Sequence, residues 1–370
     1  MWSKFLLLFT AFLAQSGAFD WHIPKPFPRP AVPADNPMNP AKVELGRYLF
    51  YDKRMSSNGK TSCATCHRQE LAFTDGRAQA EGTTGELHPR SSMSLANVGY
   101  SPLLTWVNPS LSSLEEQARI PMFGSEPIEL GLNGYEDRFL GDIGRDAVYQ
   151  KLFPEAFPGE NPVYTIGNVT KALAAFERTI ISVNSPYDRY RYGNDRNAIS
   201  DAAKRGEVLF FSGERTGCFQ CHGSWNFNGA LRYEGGPLPH VIFQNTGLYN
   251  LRGELSYPAP NTGLYQYTNR RKDVGKFRAP TLRNIAVTAP YMHDGSIATL
   301  AVVIDHYAAG GRTISSGPYA GIGHDNPNKA LNLRGFKLTD VEKSDLIAFL
   351  ESLTDTEFLK NPSLADPWRR

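Results

Sequence analysis

Two short segments of the 370-residue chain carry residue types that could do redox chemistry: Cys63-Ala64-Thr65-Cys66-His67 and Cys218-Phe219-Gln220-Cys221-His222. They contain all four cysteines. Two thiols separated by two residues can each form a thioether with a haem vinyl group, and the adjacent imidazole then lies beneath the iron as its proximal ligand. With His at 8 of 370 positions, chance would place one after both Cys pairs in roughly 1 of 2,000 unrelated chains. Disulfides or a Cys/His zinc site compete for the same residues. A Cys-x-x-Cys disulfide normally belongs to a thioredoxin-like redox unit, however, and the chain has no such pattern. Two covalently bound c-type haems are therefore expected, with His67 and His222 as proximal ligands. The sixth position of each iron separates catalysis from electron transfer. With eight His, six Met and 17 Tyr in the chain, composition leaves that position open.

The elements that must hold these motifs are legible in outline. Gly46-Arg47-Tyr48-Leu49-Phe50 precedes the first motif, and Gly206-Glu207-Val208-Leu209-Phe210 precedes the second, so the chain contains a duplicated unit. Between them, Val169–Val183 places Leu173, Phe176 and Ile180 at helical spacing and stops at Asn184-Ser185-Pro186. Near the end, Thr339 or Asp340 caps a helix whose apolar face is Val341, Leu346, Phe349, Leu350 and Leu353. Strand-type alternation is scarce. The expected fold is mainly α, with short helices and long loops around a non-protein core. Residues 39–195 form one domain and 196–370 a second, with the C-terminal tail packing back on the first.

Residues 19–38 carry six prolines between Pro24 and Pro37 and read as an extended lead-in. Before them, residues 1–18 read as a signal peptide: Lys4, the apolar run Phe5–Leu13, then Ser16 and Ala18 ahead of Phe19. That run is too short for a membrane span of about 20 residues, so export to the periplasm is expected. A net charge of +2, with no long run of either sign, removes the electrostatic case for a nucleic-acid partner.

Several further stretches resemble the bacterial di-haem cytochrome c peroxidase superfamily. These are Leu45-Gly46-Arg47-Tyr48-Leu49-Phe50, Phe73-Thr74-Asp75-Gly76, Leu114-Glu115-Glu116-Gln117-Ala118, Ala174-Ala175-Phe176-Glu177-Arg178-Thr179, and Phe277–Asn284 leading into Thr288–Gly295. The resemblance implies two cytochrome c-like helical haem domains and a calcium ion near their interface, held by Asn97, Thr288 and Pro290. In the MauG-like branch a Tyr stands fourteen residues after the His of Tyr-x-His-Asp-Gly, where plain peroxidases have Met. From His293 that position is Tyr307, with His306 as the nearest rival. The resemblance makes His222 and Tyr307 the ligands of the second haem and leaves the first open beyond His67.

By the same resemblance Trp106 is the aromatic relay between the haems, although the family's Trp-Asp-Gly-Arg is here Trp106-Val107-Asn108-Pro109. Gln117 and Pro121 lie on the distal side of the first haem. Glu129 is the distal acid, and Glu126 is its alternative in a lengthened loop. The segments Leu87–Ser94 and Thr105–Pro109 resemble most the MbnH-type di-haem enzymes of methanobactin gene clusters. The implied function is that of a haem peroxidase-type oxidoreductase. It uses hydrogen peroxide to form a high-valent di-iron state that oxidises tryptophan in a small exported partner of the copper-binding kind. The alternative is a cytochrome c peroxidase that reduces peroxide with electrons from a small donor cytochrome. A third reading is a pure electron carrier in which His88 closes the first haem.

Overall fold

The computed structural model describes residues 19–252 and 255–369, so the signal-peptide expectation for residues 1–18 lies outside the described residues. The helices are α1 (Pro40–Tyr51), α2 (Cys63–Cys66), α3 (Leu114–Phe123), α4 (Glu136–Gly144), α5 (Ala147–Ala156), α6 (Ile166–Glu177), α7 (Pro186–Arg191), α8 (Asp201–Phe211), α9 (Phe219–His222), α10 (Tyr265–Thr268), α11 (Leu300–Ala308) and α12 (Asp340–Glu351). Two antiparallel pairs of two-residue strands complete the regular structure: β1 (Phe243–Gln244) with β2 (Phe277–Arg278), and β3 (Thr313–Ile314) with β4 (Gly321–Ile322). The molecule is mainly helical, as the sequence leads one to expect. Among the described residues, no helix is long and apolar enough to cross a membrane.

The duplication is visible in how helices cross. Asn39 caps α1 through its side chain and Thr165 caps α6; Ser200 caps α8, and Thr339 forms a capping box with Glu342 at α12. Helix α1 packs on α6 and α8 packs on α12, each pair meeting at a glycine. A Cβ on Gly46 would stand 2.0 Å from the Ala172 carbonyl oxygen, and one on Gly206 would stand 2.0 Å from that of Asp345. Next to these crossings, Phe176 and Phe349 occupy matching places, each 2.8 Å from the same imagined Cβ. Around each crossing lies an apolar core. Leu45, Leu49, Phe50, Phe73, Phe153 and Phe176 build the first, and Tyr187, Phe210, Phe227, Leu346 and Phe349 the second. Burying each such side chain stabilises by about 1.5–3 kcal/mol.

Two asparagines join the repeats. Asn97 (φ 59°) and Asn284 (φ 60°) both sit in the left-handed region that Asn tolerates. Asn97 Oδ1 accepts the Ser182 N–H at 2.8 Å, and Asn284 Oδ1 accepts the Asp355 N–H at 2.7 Å. Ser182 Oγ in turn donates to Asp355 Oδ2 and accepts from Asn284 Nδ2. The two copies therefore share one buried hydrogen-bonded hub.

Several expectations need correcting. The helix expected over Val169–Val183 runs from Ile166 to Glu177. Beyond it the chain turns at Arg178-Thr179 and leaves the helix, and the Ile180 carbonyl and the Ser182 N–H bond to Asn97. Val341 is exposed, not part of the α12 apolar face. Tyr187 packs with Phe227 and Phe349 in the second core, so packing changes hands before residue 195. Finally, the lead-in is extended but anchored. Phe27 packs edge-on against Tyr192 and Trp225, and the Pro28 carbonyl accepts the Tyr100 hydroxyl at 2.6 Å. At the other end, Phe358 and Leu364 enter the first core, and Trp368 Nε1 donates to the Tyr48 carbonyl at 3.1 Å.

Candidate functional site

Each Cys-x-x-Cys-His motif forms a one-turn helix that ends at its histidine. The Ser62 N–H donates to Thr65 Oγ1, and the His67 N–H closes the turn on the Cys63 carbonyl at 3.0 Å. In both repeats the ring is aimed by a backbone carbonyl: His67 Nδ1 lies 2.8 Å from the Phe73 oxygen, and His222 Nδ1 lies 2.8 Å from that of Phe227. A carbonyl only accepts, so Nδ1 carries the proton and Nε2 keeps its lone pair for a metal. Burial also lowers the pKa of both rings, favouring the neutral form. Phe73 (φ 61°) and Phe227 (φ 52°) hold those carbonyls in left-handed backbone, strained for a bulky residue. Reading side-chain types could not find these groups, because they are main-chain atoms. The signal was a phenylalanine five or six residues after each histidine.

The donor set fits haem. All four cysteines are free. Burial pushes their thiols up, Cys66 to about 12, which suits neutral thiols waiting to be alkylated rather than metal-bound thiolates. Among the described residues no group of three or more His, Cys, Asp or Glu comes together to hold a metal ion, which leaves the zinc alternative without ligands.

Helix α3 carries Gln117 and Pro121 four residues apart, hence on one face. The following loop is laced back onto that helix: the Leu130 N–H donates to the Pro121 carbonyl at 2.9 Å, and the Leu132 N–H to that of Met122 at 2.8 Å. Thr83 donates to the Glu129 carbonyl through both its N–H and its hydroxyl. The Glu129 side chain is thereby turned inward, where burial pushes its pKa up to about 7 and its charge reaches Cys63 and Cys66. Glu126 is exposed. Of the two candidate acids, Glu129 is the one beside the first motif. His88 answers to burial and to Arg90, whose N–H it accepts at 3.1 Å, and not to the thiols of that motif.

Beside the second motif, Tyr307 projects from α11. Burial raises its phenol pKa, and Cys221 and Cys218 raise it further. His306, its neighbour, is also buried, and its pKa falls to about 4 through burial and then Arg312. Trp106 is half-buried where the halves meet: its Nε1 donates to the Ser91 carbonyl at 3.0 Å, its own carbonyl accepts the Arg278 N–H, and it packs on a cluster containing Tyr249, Tyr257, Phe277 and Tyr291.

Asn97 Oδ1 accepts the Ser182 N–H, and its Nδ2 donates to the Ser182 carbonyl and Asn226 Oδ1. Thr288 donates its hydroxyl to the Ile285 carbonyl, and Pro290 follows Ala289 through a cis bond.

Residues 40–196 match the model of the di-haem cytochrome c peroxidase family. The methylamine utilization protein MauG of Methylorubrum extorquens is 33% identical over 323 residues, spanning 87% of this chain and 80% of that protein. Cytochrome-c peroxidase IdrP1 of a Pseudomonas species is 35% identical over 365 residues, or 95% and 90% of the two chains. Among solved structures, a MauG-like protein associated with microbial copper homeostasis superposes with a TM-score of 0.92 at 45% identity, covering 95% of this chain and all of that one. With relatives of this identity along most of its length, the chain belongs to the di-haem cytochrome c peroxidase family and is a peroxidase-type oxidoreductase.

Proposed function

We propose that this protein is a periplasmic, peroxide-dependent oxidase of tryptophan in a small exported partner. The observation that carries this reading is Tyr307, a partly buried phenol on α11 at the position where the resembled MauG-like branch has its tyrosine. A phenolate is a hard anionic ligand that favours oxidised iron, unlike the thioether that would suit an electron-transfer haem. Cys63 and Cys66 would fix one haem and Cys218 and Cys221 the other, over His67 and His222. When bound, the haems supply peroxide cleavage and storage of two oxidising equivalents. Glu129 takes the proton of incoming peroxide, at a pKa suited to neutral pH. Gln117 and Pro121 shape the face on which peroxide lands. Trp106, packed across the junction, couples the halves. The likeness to a MauG-like protein associated with copper homeostasis supports a copper-binding partner.

The test is Tyr307→Met. It should leave peroxide consumption in place and abolish the mass gain of partner tryptophan seen by intact mass spectrometry. His306→Ala should change neither. If Tyr307→Met still oxidises the partner, the reading fails, and the peroxidase fed by a donor cytochrome, as the peroxidase relatives' names suggest, takes its place.

A further inference from the structure

Three phenols run in file from the interior to the surface of the second half, and neither iron ligation nor peroxide chemistry uses them. Tyr257 is buried in the aromatic cluster on which Trp106 packs. The ring of Tyr257 stands 5.3 Å from that of Tyr249, which is also buried, and Tyr249 stands 5.6 Å from Tyr319. Both contacts are edge-to-face, the arrangement aromatic rings prefer. Tyr319 is 48% exposed, on the loop between β3 and β4. That hairpin is fixed: a Cβ on Gly321 would stand 2.0 Å from the Asn250 carbonyl oxygen, and Asn250 Nδ2 donates to the Ile322 carbonyl at 3.0 Å. Trp106 packs on the inner end of the same cluster. The Tyr249 hydroxyl donates to Asp294 Oδ2 at 2.6 Å, a short bond to a charged acceptor.

We propose that Tyr319, Tyr249 and Tyr257 form a one-electron relay linking the surface at Tyr319 to Trp106 at the junction of the halves, with Asp294 as the proton acceptor of Tyr249. Resting on the function proposed above, its oxidant is the peroxide-oxidised haem pair. Tyr249 gives up one electron inward, through the ring of Tyr257. Its O–H bond breaks as the proton passes to the Asp294 carboxylate. Tyr319 then reduces Tyr249, whose proton returns from Asp294, while Tyr319 sheds its own proton to water. An external one-electron donor restores Tyr319, which takes its proton back from water. The surface around Tyr319 is thus where the oxidised protein draws its electrons.

The relay can be tested without peroxide by running it backwards. A ruthenium polypyridyl photo-oxidant is attached to the holoprotein at Ser316→Cys, exposed beside Tyr319, with both haems reduced. Transient absorbance then reads haem oxidation after a flash. Tyr249→Phe should slow that oxidation at least tenfold, because a benzene ring is far harder to oxidise than a phenol, and should erase the tyrosyl radical signal in rapid-freeze EPR. Asp294→Asn, which keeps the shape but cannot take the proton, should also slow it, and serves if Tyr249→Phe loses haem. Tyr267→Phe, another exposed tyrosine, should change nothing. Unchanged rates in both Tyr249→Phe and Asp294→Asn overturn the relay. A normal photochemical result in a protein that does not respond spectrally to peroxide overturns the proposed function and leaves the relay standing.

Discussion

Glu129 and Glu177 are both carboxyl groups pushed up by burial, to about 7 and about 8, yet they call for opposite experiments. Glu129 faces the first motif, and as a base it must be ionised, so peroxide-driven oxidation should fall as pH drops below about 7. Glu129→Gln should flatten that profile and slow the step about 10²–10⁴-fold in stopped-flow absorbance. Glu177 lies buried at the end of α6, with Oε2 unpartnered and its neighbour Arg178 already bidentate to Glu115 at 2.8 and 3.0 Å. Its folded pKa lies above its unfolded value, so the native state holds more protons between about 4.5 and 8 and stability is lost as pH rises through that window. Glu177→Gln should therefore raise the melting temperature at pH 8 by an amount equivalent to a few kcal/mol, on the order of 1.4 per pKa unit, and change little at pH 4. At this scale the sequence was legible where chemistry resides in side chains. Cys63, Cys66, His67 and their partners declared themselves by spacing, whereas the Phe73 and Phe227 carbonyls that aim the histidines depend on backbone shape.

At the scale of elements, the glycine crossings are the most sensitive points. A methyl group at Gly46 or Gly206 would lie within bonding distance of a carbonyl on the facing helix, so α1 and α6, or α8 and α12, must separate. Overpacking of this kind costs about 1–3 kcal/mol or more. Gly206→Ala should lower the melting temperature of the second half by roughly 2–4 °C per kcal/mol lost, read by calorimetry. Asn284→Ala leaves the buried Asp355 N–H without its acceptor and removes the donor to Ser182 Oγ, and should cost about 1–3 kcal/mol. The repeat of Gly-x-x-Leu-Phe ahead of each motif made the first crossing pair readable. The Asn97 and Asn284 hub was not, because sequence spacing gives no clue that two distant turns share Ser182. The same hub explains why the helix expected to reach Val183 ends at Glu177: the residues beyond it are needed as hydrogen-bond partners.

Across the whole molecule, the tail is spent on the half it does not lead out of, and the lead-in bridges both halves. The lead-in lies on Tyr100 of the first half and on Trp225 of the second, and the tail lies on Tyr48, Tyr51 and the first core. Deleting residues 357–370 should therefore weaken the first half, although it is encoded some 300 residues earlier. Limited proteolysis should show cleavage appearing near α1 while the second half stays protected. Trp368→Ala alone removes the bond to the Tyr48 carbonyl and ring contacts at 4.8 and 6.0 Å to Tyr48 and Tyr149, and should cost about 1–2 kcal/mol.

The matched carbonyls behind His67 and His222 have one more consequence. Both imidazoles are oriented by the same kind of neutral acceptor, so in each copy Nδ1 is committed to the backbone and Nε2 is left for a metal. On the function proposed above, the division between a reacting centre and a storing one would then be set on the opposite face, by Glu129 and its loop in one copy and by Tyr307 in the other. An ancestor with a single such unit would have had to choose between the two roles; two copies let selection divide the labour by altering only what faces the iron from above.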